Sequence, residues 1–154
     1  MANPLQASRR RFSAALALLV AAPRALAQPA VDNFAVEFAL RRLDGLPFTQ
    51  ADLLGKASLV LFGYTHCPDF CPTALFELSQ LMKKIEPRAR VQALFVSVDP
   101  RRDTPEIMKE YLGSYDESII GLVGDEAAVT PTLNSFRAFA ETLPGEGASY
   151  TIAH

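Results

Sequence analysis

Soft metal and thiol chemistry has little to work with in this chain, which holds two cysteines, two histidines and no tryptophan among 154 residues. Any site of that kind must draw on Cys67, Cys71, His66 and His154. Neither sign of charge is in large excess: 15 basic residues face 17 acidic ones, a formal charge of −2, which argues against a nucleic-acid binder of the usual basic kind. Long apolar runs are also missing, since the stretch Ala14–Ala22 stops at Pro23 and Arg24 and is too short to span a bilayer. The 8 glycines and 11 prolines follow no short period, and no internal repeat occurs, which excludes collagen-like and disordered polymers. What is present, 49% hydrophobic and 21% charged residues, suffices for one domain with a core and not for two.

The charge is unevenly spread. Residues 1–27 carry four arginines and no acid, opening with Ser8-Arg9-Arg10-Arg11-Phe12 and closing with Ala25-Leu26-Ala27. A basic start, a short apolar segment and an A-x-A site predict a bacterial-type export signal over residues 1–27. The Ser-Arg-Arg-x-Phe order resembles a twin-arginine signal, with an ordinary secretory signal as the alternative. The mature chain is then 28–154, with 11 basic residues against 17 acidic and a formal charge of −6. Export predicts a periplasmic location, attached to the inner membrane if the signal stays uncleaved, and puts both cysteines where disulfides persist.

Within 28–154 the residues read as an α/β domain. Phe34–Leu40, the turn dipeptide Asp44-Gly45 and Leu46-Pro47-Phe48 predict a hairpin beside the main sheet. Ser58–Gly63 is a continuous apolar run, the pattern of a parallel strand buried on both faces. From Thr73 the period becomes helical, with Leu75, Leu78, Leu81, Met82 and Ile85 on one stripe, and Glu86-Pro87 closes that helix. Val91–Val98 is a second strand, and strand, helix and strand in so short a unit imply parallel pairing by a right-handed crossover. Thr104-Pro105-Glu106 starts another helix, with Gly113 as its stop. Ile119–Gly124 predicts a third strand, Asp125 caps a helix that either begins at Pro131 or kinks there, Pro144–Gly147 is a turn, and Ser149–His154 begins one more strand.

Chemistry concentrates in Cys67-Pro68-Asp69-Phe70-Cys71-Pro72, between a buried strand and a helix. The carboxyl end of a strand is where ligands gather in open α/β sheets, and the free N–H groups and dipole of a helix start favour thiolate. Thiolate both binds soft metals and attacks disulfides, and a three-residue gap can bring both sulfurs onto one Cu(I) or Zn(II) ion. A structural disulfide is the bland alternative, weakened because so short a loop restrains little chain entropy. His66 and His154 remain open on spacing alone, since a lone histidine is more often an ordinary surface or core residue than a ligand.

Phe62–Thr73, Val96–Pro105, Tyr111-Leu112 and Gly121–Gly124 together closely resemble the Sco/SenC family in the family's order, and Asp44-Gly45 with Leu54-Gly55-Lys56 fits the segment before its first core strand. The resemblance runs from about Phe34 to His154. It implies a thioredoxin-like domain, a central sheet with flanking helices and an N-terminal hairpin extension. It also implies a copper chaperone for the dinuclear copper centre of respiratory cytochrome c oxidase, whose copper-receiving subunit would be the partner, alongside other copper carriers or thiol reductants. By motif, Cys67 and Cys71 are the thiolate ligands and His154, in Tyr150-Thr151-Ile152-Ala153-His154, the imidazole ligand of one copper ion, a set that suits both Cu(I) and Cu(II). Asp99, Arg101 and Asp103 are read as a loop-ordering and helix-capping cluster, and His66, not expected from the family pattern, either modulates the neighbouring thiolate or simply sits exposed. The family continues beyond the position of His154, so the C-terminal elements of the fold are expected to be missing, and were His154 truly a frayed chain end it would be a poor ligand.

Three other functions stand as alternatives, two of them built on the same cysteines. A periplasmic thiol–disulfide oxidoreductase would use Cys67 and Cys71 as its redox pair, although enzymes of that type have two intervening residues and a cis-proline before the facing strand. A peroxidase is weaker still. A metal-free binding module working through the acidic mature surface would not need the cysteines at all.

Overall fold

A computed structural model describes residues 36–86, 90–145 and 149–154; the basic segment 1–27, its cleavage site and Phe34 lie outside them. Five strands form one sheet in the order β2-β1-β5-β4-β3, where β1 is Ala39–Arg42, β2 Pro47–Thr49, β3 Ala57–Gly63, β4 Val91–Ser97 and β5 Ile119–Val123. The three core strands run parallel, with Leu61 opposite Phe95 and Val96 opposite Leu122. The expected hairpin is present, and its first strand joins the main sheet by pairing antiparallel to β5, Arg41 opposite Val123. A parallel strand–helix–strand unit with a cysteine pair at its first junction, set in a mixed sheet with flanking helices, is a thioredoxin-like arrangement.

Burial on both faces belongs to β4, whose residues from Gln92 to Ser97 are all buried, and not to β3. β3 is half-buried because it lies at the sheet's edge, with no strand paired to its outer side among the described residues. Its apolar run reflects the contacts of one face and the approach of α1, Phe70–Lys84. That helix begins at Phe70, three residues earlier than the apolar period indicates, and buries Cys71, Leu75, Ser79 and Met82, a stripe of spacing 4, 4 and 3. Leu81, expected in the stripe, is 44% exposed. The early start places Cys71 inside the helix.

α2, Pro105–Leu112, starts as its sequence implies: Thr104 is the N-cap and its hydroxyl accepts the Ile107 N–H at 3.3 Å, with Pro105 at the first helical position. α3, Glu126–Ser135, begins at its Asp125 cap and runs through Pro131. The proline therefore does not set the start, because the Asp125 carboxylate already holds the Ala128 N–H at 2.9 Å. Two further strands, β6 (Glu141–Pro144) and β7 (Tyr150–Ala153), form an antiparallel ribbon separate from the main sheet. No helix among the described residues is long and apolar enough to cross a membrane.

Candidate metal centre

The loop after β3 is a tight turn in which the Cys67 N–H donates to the Tyr64 carbonyl at 3.2 Å. Cys71 sits in the first turn of α1, where backbone N–H groups lack helical partners, and its N–H donates to Sγ of Cys67 at 3.5 Å. The helix end thus holds one cysteine and solvates the sulfur of the other. Cys71 Sγ also rests against the end of β3: a Cβ at Gly63 would lie 2.6 Å from it and 2.8 Å from the Phe95 ring. Only glycine leaves room there for the sulfur.

His154 arrives from the other side, one residue beyond β7. Two attachments carry that strand to the cysteine loop. The buried Tyr64 hydroxyl accepts the Ile152 N–H at 3.2 Å and shares a 2.7 Å hydrogen bond with Oγ1 of Thr151. The Arg102 guanidinium lies 3.6 Å over the Tyr150 ring and donates to the Tyr150 carbonyl at 3.1 Å, while the Tyr150 hydroxyl donates to Oδ1 of Asp99 at 2.7 Å. Asp99 is itself paired with Arg102 through Nε. The Tyr64 ring meets the His154 imidazole edge-on at 5.4 Å.

As a result, one donor atom each from Cys67, Cys71 and His154 lie within 4.8 Å of one another. Nδ1 of His154 stands 3.1 Å from the Ile152 carbonyl, which can only accept, so Nδ1 carries the proton and Nε2 the lone pair. Nε2 is 3.5 Å from Sγ of Cys71. A histidine oriented by donating its other nitrogen to a carbonyl is the usual outer support of a metal-ligating imidazole. Both cysteines are free and buried, and His66 stands outside the three-donor group.

The two thiols are unequal. Burial raises the pKa of Cys67, but hydrogen bonds from the backbone of Cys71, Asp69 and Phe70 outweigh it and bring the thiol below its ordinary value. Burial pushes Cys71 up to about 12, helped by the adjacent Cys67 sulfur and the Asp103 carboxylate and opposed by the Tyr64 backbone. The metal-free site therefore holds Cys71 as a thiol facing the His154 lone pair, with Cys67 the readier thiolate.

The acidic cluster divides its roles. Asp103 is buried and orders the loop, accepting from Ser97 Oγ at 2.6 Å and Thr65 Oγ1 at 2.7 Å. Asp99 braces Arg102 and Tyr150, and Arg101 makes a surface pair with Glu126 at 3.8 Å. Helix capping falls to Thr104 and not to these carboxylates, which are committed elsewhere. Tyr64, Arg102 and Gly63 were not singled out from the sequence, because no local spacing marks a residue whose partner is on a distant strand.

Residues 27–154 match the SCO1/SenC family. "Protein SCO2, mitochondrial" of Saccharomyces cerevisiae is 38% identical over 107 residues, 68% of this chain and 36% of that protein, so the chain spans about a third of this relative's length. Among solved structures, Bradyrhizobium japonicum ScoI with copper bound is 43% identical, covers 78% of both chains and superposes with a TM-score of 0.74. BsSco, described as a Sco-family cytochrome c oxidase assembly protein with a disulfide switch, is 25% identical, covers 66% of this chain and 63% of its own, and has a TM-score of 0.54.

Proposed function

Because the chain belongs to the SCO1/SenC family, we propose that it is a copper chaperone acting in assembly of the dinuclear copper centre of respiratory cytochrome c oxidase, with one copper ion as cargo on Cys67, Cys71 and His154. The observation that carries this reading is the convergence of two cysteine sulfurs and one imidazole nitrogen within 4.8 Å. Two sulfurs and one imidazole suit Cu(I) and tolerate Cu(II), and three ligands leave the ion open to exchange with a recipient site. The copper-bound relative at 43% identity supports the choice of metal, and BsSco supports the oxidase. The arginine-rich, acid-free residues 1–27 support export to the periplasm, since the family match begins at residue 27. Metal analysis of the reduced protein tests the site: one copper per chain is expected, and a Cys67→Ser/Cys71→Ser variant that kept a tightly bound copper would refute it.

A second reading, thiol–disulfide exchange, is favoured by the inequality of the thiols. Cys67 as thiolate would attack a substrate disulfide, and Cys71 would resolve the mixed disulfide after losing its proton to Nε2 of His154, leaving Cys67 and Cys71 joined and the substrate reduced by two electrons. A pair too reducing or too oxidising to equilibrate with periplasmic dithiols would exclude it.

A further inference from the structure

Beside the three-donor group stands a histidine that the site does not use. His66 is exposed and adjacent to Cys67, and its Nδ1 lies 2.9 Å from Oγ1 of Thr65. That hydroxyl has one proton, which it gives to Oδ1 of Asp103 at 2.7 Å. It must therefore accept from Nδ1–H of His66, and the neutral imidazole keeps its lone pair on Nε2. The relay is anchored on a carboxylate only 4% exposed, which also accepts from Ser97 Oγ at 2.6 Å and from the Thr65 N–H at 3.3 Å. His66 and His154 thus share one arrangement, in which Nδ1–H is spent on an acceptor and Nε2 is left to bind. Both are exposed, and they differ in that Nε2 of His154 faces Sγ of Cys71 whereas His66 stands outside the three-donor group.

The two thiol ligands are sunk by comparison. Cys67 is 7% exposed and Cys71 1%. Cargo arriving on a soft-ligand carrier cannot shed that carrier onto Cys71, and the carrier's own bulk hinders approach to Cys67. An exposed, oriented nitrogen next in sequence to Cys67 relieves this. We propose that His66 is a transfer ligand: its Nε2 takes Cu(I) from a carrier at the rim and yields it to Cys67, after which Cys71 and His154 complete the set. The ion keeps its oxidation state throughout. One carrier–copper bond is exchanged for Nε2–copper and then for sulfur–copper, and the Cys71 proton is released to solvent. The proposal rests on the copper reading above and adds a residue to it.

Stopped-flow uptake of Cu(I) from its bicinchoninate complex tests it in the reduced full chain. His66→Ala is expected to slow uptake about tenfold, the scale on which oriented ligand residues usually act, while the end point remains one copper per chain. Thr65→Val, which removes the acceptor of Nδ1–H, is expected to slow uptake in the same direction. Nitrogen chemical shifts of the metal-free protein give a readout independent of copper: His66 is expected as the Nδ1–H tautomer in the wild type and to lose that bias in Thr65→Val. Unchanged uptake in His66→Ala, with one copper still bound by the wild type, would overturn the transfer role and leave the three-donor site intact. Loss of the one-copper end point in His66→Ala would make His66 a resident ligand and would equally overturn it. A wild type that takes up no copper would end both readings.

Discussion

The hydroxyl of Tyr64, at the carboxyl end of β3, accepts the backbone N–H of Ile152, 88 residues later, at 3.2 Å. The ribbon that carries His154 belongs to a different sheet from the strand that leads to Cys67. Among the described residues no backbone ladder joins the two halves of the site, so side chains do so. Tyr64, with its partners Ile152 and Thr151, and Arg102, with Tyr150, are the joints.

Tyr64→Phe keeps the ring against His154 and removes only the hydroxyl. The Ile152 N–H then lies buried without its acceptor, a loss of about 1–3 kcal/mol. Copper affinity is expected to fall about tenfold, because the ribbon loses one joint while all three ligands remain. Urea unfolding and competition with a Cu(I) chelator measure the two effects separately. Unchanged affinity would show that the Arg102 joint suffices alone.

Removal of that second joint is expected to cost more stability. Arg102→Ala leaves Asp99, which is only 2% exposed, as a buried carboxylate whose remaining side-chain partner is the Tyr150 hydroxyl. Breaking a buried ion pair by truncating one partner costs about 3–5 kcal/mol. The double variant Arg102→Met/Asp99→Leu removes the stranded charge and should recover part of that loss in chemical denaturation. It should not recover copper affinity, since the stack on Tyr150 is still missing. Recovery of both would mean that Arg102 acts only as a counter-ion.

Gly63→Ala tests how closely the sulfur is packed. The new methyl would fall 2.6 Å from Sγ of Cys71 and 2.8 Å from Phe95, so the sulfur or the ring must move. Overpacking of this kind costs about 1–3 kcal/mol. Because one of the displaced atoms is a proposed ligand, copper affinity is expected to drop in a protein that still folds. Competition titration against Gly121→Ala, a comparable crowding at Leu112 and Leu43, distinguishes a site effect from general strain. Equal losses in both variants would remove the special role of Gly63.

Much of this was legible locally. Apolar continuity and the change to helical period locate β3, α1 and β4; Thr104-Pro105 starts α2; and the cysteines at a strand–helix junction announce the chemistry. The misreadings share a cause. Whether β3 is central or at an edge depends on what pairs with it, which its own residues do not encode, and β6 is exposed at every position and so shows no period. The joints are invisible for the same reason, since 87 residues separate Tyr64 from Thr151 and 48 separate Arg102 from Tyr150. His154 itself was found only through the family resemblance.

The unequal thiols set a pH dependence of opposite sign for each cysteine. Cys67, held below its ordinary value, favours the folded state above the unfolded thiol pKa of about 8.5, and that contribution disappears as pH falls through its folded value. Cys71, raised to about 12, acts the other way: its contribution is complete below the unfolded pKa and is lost as pH rises toward 12. Reactivity follows the same order. Iodoacetamide at neutral pH is expected to label Cys67 first, with Cys71 modified only in strongly alkaline solution or after unfolding, as read by peptide mass mapping. A Cys67→Ser variant should lower the pKa of Cys71, because the neighbouring sulfur that raises it is gone, and the alkylation profile of Cys71 should then move to lower pH. An unmoved profile would mean that burial and the Asp103 carboxylate, and not the paired sulfur, keep Cys71 protonated.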